Sequence, residues 1–359
     1  MGYVAVKGGA HAINNSVILY KNRRLEDGAD IDVENIKTNM RQLINQVMSE
    51  ASFYDRDIAA LAIKQAEGNM EEAVFLMRAH RSTLPRLYYS TVTDTREMFV
   101  ERRVSASFKD IPGGQILGAT SDFTHRLLDD SLKEVTDGPR ESVDCKEIPF
   151  NYDLDKLPKV IDYLEEEGLF VREPENNDEP DDITKKAIEY PSTRSQRLQA
   201  LTRGQTGAVT SLGYAEIRGY GIASHPNIGE CRVGQQPVHV DLDDDYGEYF
   251  IGDYEVTEID GFMPDLDEDD SDAGEKDLMI KIGYGLVFGQ NETKAIAMSV
   301  LDYSLEHPEP GVATSDDEFV LYHIDSVEST GFVSHLKLPH YVTFQSKLDR
   351  MRQGKEERQ

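Results

Sequence analysis

Carboxylates outnumber cations so heavily in this chain that whatever fold it adopts must carry a predominantly acidic surface. Sixty-seven Asp and Glu stand against 38 Lys and Arg, a formal net charge of -29 over 359 residues. An ionised carboxylate is costly to bury unpaired, so the densest tracts, Asp241–Asp245 and Asp265–Asp272, are expected in solvated loops that interrupt short strands. The same surplus repels nucleic acid and anionic membranes, and a phosphate-bearing ligand must find a local cationic pocket. Arg exceeds Lys, 21 to 17. Dense carboxylates keep a surface hydrated in molar salt, so the composition suits a halophile, with an ordinary acidic cytosolic protein as the alternative.

Two cysteines, Cys145 and Cys231, form no CxxC pair, which excludes a disulfide framework and a cysteine-based metal site built from this chain alone. The start, Met1 to Lys7, lacks a basic-then-apolar signal pattern. No apolar run approaches the roughly eighteen residues of a membrane span. The expectation is a soluble cytoplasmic protein.

Apolar residues recur at helical spacing from Asp32 to Arg81, as in Ile36, Met40, Leu43 and Val47, then Ile58, Leu61 and Ala62. Asn69 and Glu72 read as a cap and capping carboxylate. Residues 97–129 read as strand, turn and helix, the turn-rich stretch running from Lys109 to Gln115. Further on, Ser195 to Leu201 looks helical, Pro237 to Ile259 reads as short strands, Glu292 to Leu305 as an amphipathic helix, and Glu318 to Ile324 as a strand. The fold class expected is α+β, a largely helical N-terminal part followed by a mixed α/β C-terminal part with short strands. Three divisions follow: a mainly helical 1–150, an acidic surface linker at 151–182, and a mixed 183–359.

Several long segments, spread from end to end, resemble the PhnI family. They include Val4 to Gly9, the run from Asp55 to Leu84, Glu101-Arg102-Arg103 through Ile111-Pro112-Gly113-Gly114-Gln115 to Asp129, Tyr190-Pro191, Arg218 to Gly221 with His225-Pro226, Gly283 to Gly289, and Gly331 to Tyr341. The acidic loops at 136–180 and 241–278 match poorly. The resemblance implies a cytoplasmic subunit of the carbon-phosphorus lyase core complex that assembles with PhnG, PhnH and PhnJ. With the ATPase-like PhnL, it implies that methylphosphonate and ATP give alpha-D-ribose 1-methylphosphonate 5-triphosphate and adenine. Taken alone, such a subunit is expected to be a nucleosidase on ATP or GTP.

Displacing adenine at the anomeric carbon passes through an oxocarbenium-like state, which calls for a carboxylate near the sugar and cations around the triphosphate. Arg102, Arg103 and Lys109, just before the Gly113-Gly114 turn, are the first candidates for phosphate contact; a solvated strand and a tight turn are the plainer account. Arg194, Arg197 and Arg203 are a second group, and Lys7-Gly8-Gly9 lacks the spacing of a Walker loop. Asp110, Asp122 and Glu230 are the candidates for the carboxylate. His335 and His340, five apart across Pro339, can converge from a loop, but two imidazoles do not complete a zinc site. On the residues alone, two ordinary loop histidines are the simpler account. The resemblance instead assigns this pair, in a loop at 331–341, to zinc or a similar divalent metal shared with the PhnJ radical subunit. A non-catalytic scaffold that cradles the radical subunit and holds half of that metal site is the competing reading.

Overall fold

A computed structural model of the chain describes residues 8–25, 28–135, 138, 156–172, 178–219, 225–242, 247–263, 280–338 and 340–358. Lys7, Cys145, Tyr220, Gly221, Pro339 and the tract Asp265–Asp272 lie outside the described residues, as do residues 243–245 of the first acidic tract. Contacts group the chain into two units. One comprises Met1–Leu84, Arg203–Ala208 and Leu321–Gln359, the other Pro85–Thr202 and Val209–Val320. The fold class is α+β, with the helices early in the chain and the sheet concentrated later.

The first unit begins with α1 (Gly9–Arg23), α2 (Val33–Asn39), α3 (Arg41–Ala51), α4 (Arg56–Gln65) and α5 (Met70–Ser82). Each of the last two starts where a side chain satisfies an orphan N–H: Asp55 accepts from Ile58 and Asn69 from Glu72, both at 2.9 Å. Their apolar faces close a core of Ile36, Ile44, Met48, Ile63, Val74 and Met77, with alanines at 51, 59, 60 and 73 letting the helices approach. Ile36 and Val47 are buried as the spacing requires, whereas Met40 and Leu61 are about half exposed, at 45% and 49%.

The second unit rests on an antiparallel sheet in the order β1 (Phe99–Val104), β2 (Asn227–Asp241), β3 (Glu248–Met263) and β4 (Lys281–Phe288). Between β1 and β2 run α6 (Val160–Glu166), α7 (Arg194–Arg203) and α8 (Thr206–Arg218). After β4 come α9 (Glu292–Glu306) and α10 (Asp317–Ile324). Side chains alternate between the two faces of a strand. One face of β4 packs on α9, where a Cβ on Gly283 would strike the Ser299 carbonyl oxygen and one on Gly285 that of Ala295. These glycines serve close approach within the protein.

Four expectations need correction. No helix follows the turn after β1: Gly113, Gly114 and Gly118 have φ of +83°, +74° and +62°, which no helix accommodates, and the chain instead doubles back so that Ile116 bridges Arg103. β2 and β3 are long strands of 15 and 16 residues rather than short ones. Pro237 is tolerated in β2 because ladder pairing with β1 ends at Gln235 and resumes on that edge only at the isolated bridge of Ser90 with Val240. Residues 318–324 form α10, not a strand. The apolar run Phe319-Val320-Leu321 is too short for periodicity to decide, and Asp316 caps the turn by accepting from the Phe319 N–H at 2.8 Å. Finally, the stretch expected as a surface linker contains α6, whose Val160, Ile161 and Leu164 are buried.

The chain returns to the first unit with α11 (Ser326–His335) and α12 (Tyr341–Glu356). Asp325 caps α11 by accepting from Val327 and Glu328. The same carboxylate takes two hydrogen bonds from Arg78 Nη1, at 2.8 and 2.9 Å, while Arg78 also donates to the Glu50 carbonyl.

Candidate functional site

The face of the sheet opposite α9 is polar at its centre. Register places Glu230 of β2 beside Asp260 of β3, Arg232 beside Glu258, Asp260 beside Tyr284 of β4, and Arg103 of β1 beside Arg232. The period of two gives all six side chains the same face. Lys159, immediately before α6, covers them and reaches Glu258 Oε1 at 2.9 Å and Asp260 Oδ2 at 3.1 Å. Apolar clusters bound this polar centre, Met98, Val100, Leu157 and Val256 on one side and Ile111, Val160, Leu164 and Phe262 on the other. Three carboxylates and three cations thus share a setting in which an unpaired charge would be expensive.

The three carboxylates are not equivalent. Glu258 Oε1 accepts from Thr95 Oγ1 at 2.6 Å, Lys159 Nζ at 2.9 Å and the Tyr284 hydroxyl at 3.0 Å, and Oε2 accepts from Arg232 Nε and Nη2 at 3.0 and 2.6 Å. Burial alone would raise its proton affinity; Lys159 and Arg232 overcome that and hold the carboxyl well below the usual range. Glu230 accepts from Arg103 Nε and, at 2.9 Å, from the Val160 N–H. Asp260 meets only Lys159 among the described residues, through Oδ2. Burial pushes its carboxyl up to about 6, against Lys159 and with help from the charges of Glu258 and Glu230. A buried carboxyl with a raised proton affinity can hold a proton near neutrality and release it to a basic atom. Arg232 Nη1 is a buried donor with no partner among the described residues.

The candidates named from sequence separate here. Glu230 and Arg103 lie in this polar face. Arg103 Nη1 donates to the Pro112 and Gly114 carbonyls and Nη2 to that of Pro158 at 2.7 Å, so the guanidinium braces the glycine turn from inside. A Cβ on Gly113 would come within 2.9 Å of Arg103 Nη1, which explains glycine there beyond its positive φ. Arg102 points to the opposite face, paired with Glu292 of α9 at 2.8 Å and Asp122 at 2.7 Å, and donating to the Leu117 carbonyl. Lys109, Asp110 and Gly114 are exposed. Arg194 pairs with the buried Asp302, and Arg197 with Glu306. Lys159, Arg232, Glu258, Asp260 and Tyr284 were not singled out. The available signal was the alternation of charged residues within two apolar strands, Glu230-Cys231-Arg232 and Glu258-Ile259-Asp260.

His335 and His340 lie in the first unit, where α11 ends and α12 begins. Their rings are 5.4 Å apart. His335 Nδ1 bonds to the Phe332 carbonyl and His340 Nδ1 to that of Leu338 at 2.6 Å. A carbonyl only accepts, so both Nδ1 atoms carry the proton and both Nε2 lone pairs remain for a metal. That donor set fits half of a zinc-type site. No group of three or more His, Cys, Asp or Glu placed to hold a metal occurs among the described residues. Around the pair, Phe332, Val333, Leu336, Tyr341 and Val342 are between 61% and 87% exposed.

Comparison with known proteins agrees over the whole chain. No described helix is long and apolar enough to cross a membrane. Residues 2–358 match the family described as bacterial phosphonate metabolism protein (PhnI). A Rhizobium meliloti protein named alpha-D-ribose 1-methylphosphonate 5-triphosphate synthase subunit PhnI is 43% identical, across 99% of this chain and 95% of its own length. The Escherichia coli protein of the same name is 42% identical, across 99% of both chains. With that agreement running from end to end, the chain belongs to the PhnI family of phosphonate-metabolism proteins.

Proposed function

We propose that this chain is a subunit of the carbon-phosphorus lyase core complex and contributes its ribosyl-transfer step, in which methylphosphonate displaces adenine from ATP. The supporting observation is the 42–43% identity, over 99% of the chain, to two subunits named for synthesis of the resulting ribose methylphosphonate triphosphate. In that step the bond from C1′ to the purine nitrogen breaks, its electron pair leaving with the base, which takes up a proton. A phosphonate oxygen then forms the new bond to C1′. With water in place of the phosphonate, the same chemistry is nucleosidase action on ATP or GTP. The departing base needs a proton donor and the oxocarbenium-like centre a nearby negative charge. The polar sheet face has the chemistry for both: Asp260, which meets only Lys159 among the described residues and has a raised proton affinity, and the ionised Glu258, with Glu230 beside Asp260 in the register.

The imidazole pair supports a second role on the same chain. His335 and His340 would supply two ligands of a zinc-type site, with the rest from the PhnJ subunit. Such a metal, when bound, would supply structural cross-linking or Lewis acidity. The exposed apolar residues around the pair suit burial against that partner, and PhnG, PhnH and PhnL are the other expected associates. A pure scaffold would use this half-site without releasing adenine.

The experiment is to incubate the purified chain with ATP in molar KCl and follow free adenine by chromatography, alone and then with partner subunits and methylphosphonate. Adenine release that is lost in Asp260→Asn and kept in His335→Ala supports a catalytic centre separate from the metal half-site. A folded chain that yields no adenine, even with partners and methylphosphonate, leaves the scaffold role standing and sinks the ribosyl-transfer role.

A further inference from the structure

In a chain with 29 more acids than bases, three cations gathered around one cavity need a reason. A cavity of about 520 Å³ in the first unit is lined from α1 by Tyr20 and Lys21, from the residue after it by Arg24, and from α4 by Leu61 and Lys64. No hydrogen bond or ion pair joins the Lys21 or Arg24 side chain to another described residue, although the Arg24 charge acts on Asp30 and on Tyr20. Lys64 bonds Asp30 at 2.7 Å and keeps a fifth of its side chain exposed. The carboxylates nearby are already engaged or few: Asp30 by Lys64, Glu67 by the Tyr20 hydroxyl, and Glu72 alone lines the wall.

The ordinary account is that basic residues in the last turn of α1 complement its dipole. That covers Lys21 and Arg23, which lie in that turn. It does not cover Lys64, which comes from another helix and faces the same space, nor the half-exposed Tyr20 and Leu61 that give the cavity an apolar wall. A larger cleft of about 910 Å³ in the second unit offers the contrast. Its Arg197 is paired with Glu306, and Glu309, Asp316, Asp317 and Glu318 surround it, so it disfavours anions.

We infer that the α1–α4 cavity binds a polyphosphate, such as the tail of a nucleoside triphosphate, on Lys21, Arg24 and Lys64. Several cations spread around a cavity suit an anion with charge on more than one phosphate. The apolar wall at Tyr20 and Leu61 has room for a base, and inorganic polyphosphate shares the same charged part. No step of the ribosyl transfer is assigned to this cavity.

The test is isothermal titration of the full chain with ATP, sodium tripolyphosphate and AMP, in the lowest KCl at which circular dichroism shows it folded. Lys21→Ala/Arg24→Ala is run beside it, with Lys133→Ala as a surface control. ATP and tripolyphosphate should compete for one site, AMP should bind at least about tenfold more weakly, and the double variant should lose about tenfold or more in affinity at unchanged melting temperature. Because Lys21 and Arg24 are exposed and bond no other described residue, the variant should fold. Competition with unchanged affinity in the double variant would place the site elsewhere. ATP binding that tripolyphosphate does not displace, or no binding of either, would overturn the inference.

Discussion

Arg103 and Glu230 pair inside the sheet with 0% and 1% of their side chains exposed. Neither charge has water to fall back on, so each depends on the other. Arg103→Ala and Glu230→Gln should each destabilise the chain by about 3–5 kcal/mol in chemical denaturation. Arg103→Met combined with Glu230→Leu should recover only part of that. The pair is replaced by apolar contact, but the carbonyls of Pro112, Gly114 and Pro158 lose their donor. A double variant as stable as the parent would refute the bracing role.

Asp260 gives this fold a pH dependence opposite to that of most carboxylates. Its folded proton affinity lies above the ordinary value of 3.8, at about 6. The folded state therefore binds the extra proton, and stability falls as pH rises through that window. Asp260→Asn should remove the fall: relative to the parent, the variant should gain about 2 kcal/mol between pH 4 and pH 7. Glu258, held below its ordinary value of 4.5, loses its own contribution as pH falls below that value in parent and variant alike, so the comparison between the two proteins cancels it. Denaturation curves at pH 4 and pH 7 for both proteins decide the matter, and a parallel pH dependence in the two would refute it.

The glycines of β4 make a third, purely steric case. Gly285→Ala drives a methyl into the Ala295 carbonyl of α9, so it should cost about 1–3 kcal/mol or more. Gly331→Ala meets nothing within 4 Å in the middle of α11, and should raise stability by about 0.5–1 kcal/mol. Melting temperatures moving in the same direction for both would contradict this packing.

What was legible from sequence follows from where each element finds its partners. The helices around Asn69 and Glu72 could be read because their caps and periodicity are local. The long β2 and β3 were obscured because Glu230, Arg232, Glu258 and Asp260 look like a solvated face. Their true partners, Arg103 and Lys159, stand far away in the chain. Arg102 and Arg103 drew attention as a basic pair, yet strand alternation sends them to opposite faces, each to its own carboxylate. The acidic surplus foretold that cations would be informative. It did not say that those on the sheet would be spent internally, while Lys21 and Arg24 bond no other described residue.

The histidine pair should behave as half a site and no more. Both Nδ1 atoms are tied to backbone carbonyls, which leaves both Nε2 atoms for a metal, and the rings stand 5.4 Å apart. Two ligands leave a tetrahedral ion open to water, and binding by this chain alone should be weak. Titration with cobalt(II), followed by its visible absorption, should show weak binding to the chain. Affinity should drop further, by about tenfold or more, in His335→Ala and in His340→Ala. Adding the proposed PhnJ partner should tighten binding and shift the spectrum toward tetrahedral coordination, because the proposed new ligands would replace water. Equal affinity with and without the partner would mean that the ion needs nothing beyond this chain, and equal affinity in the two variants would mean that it sits elsewhere.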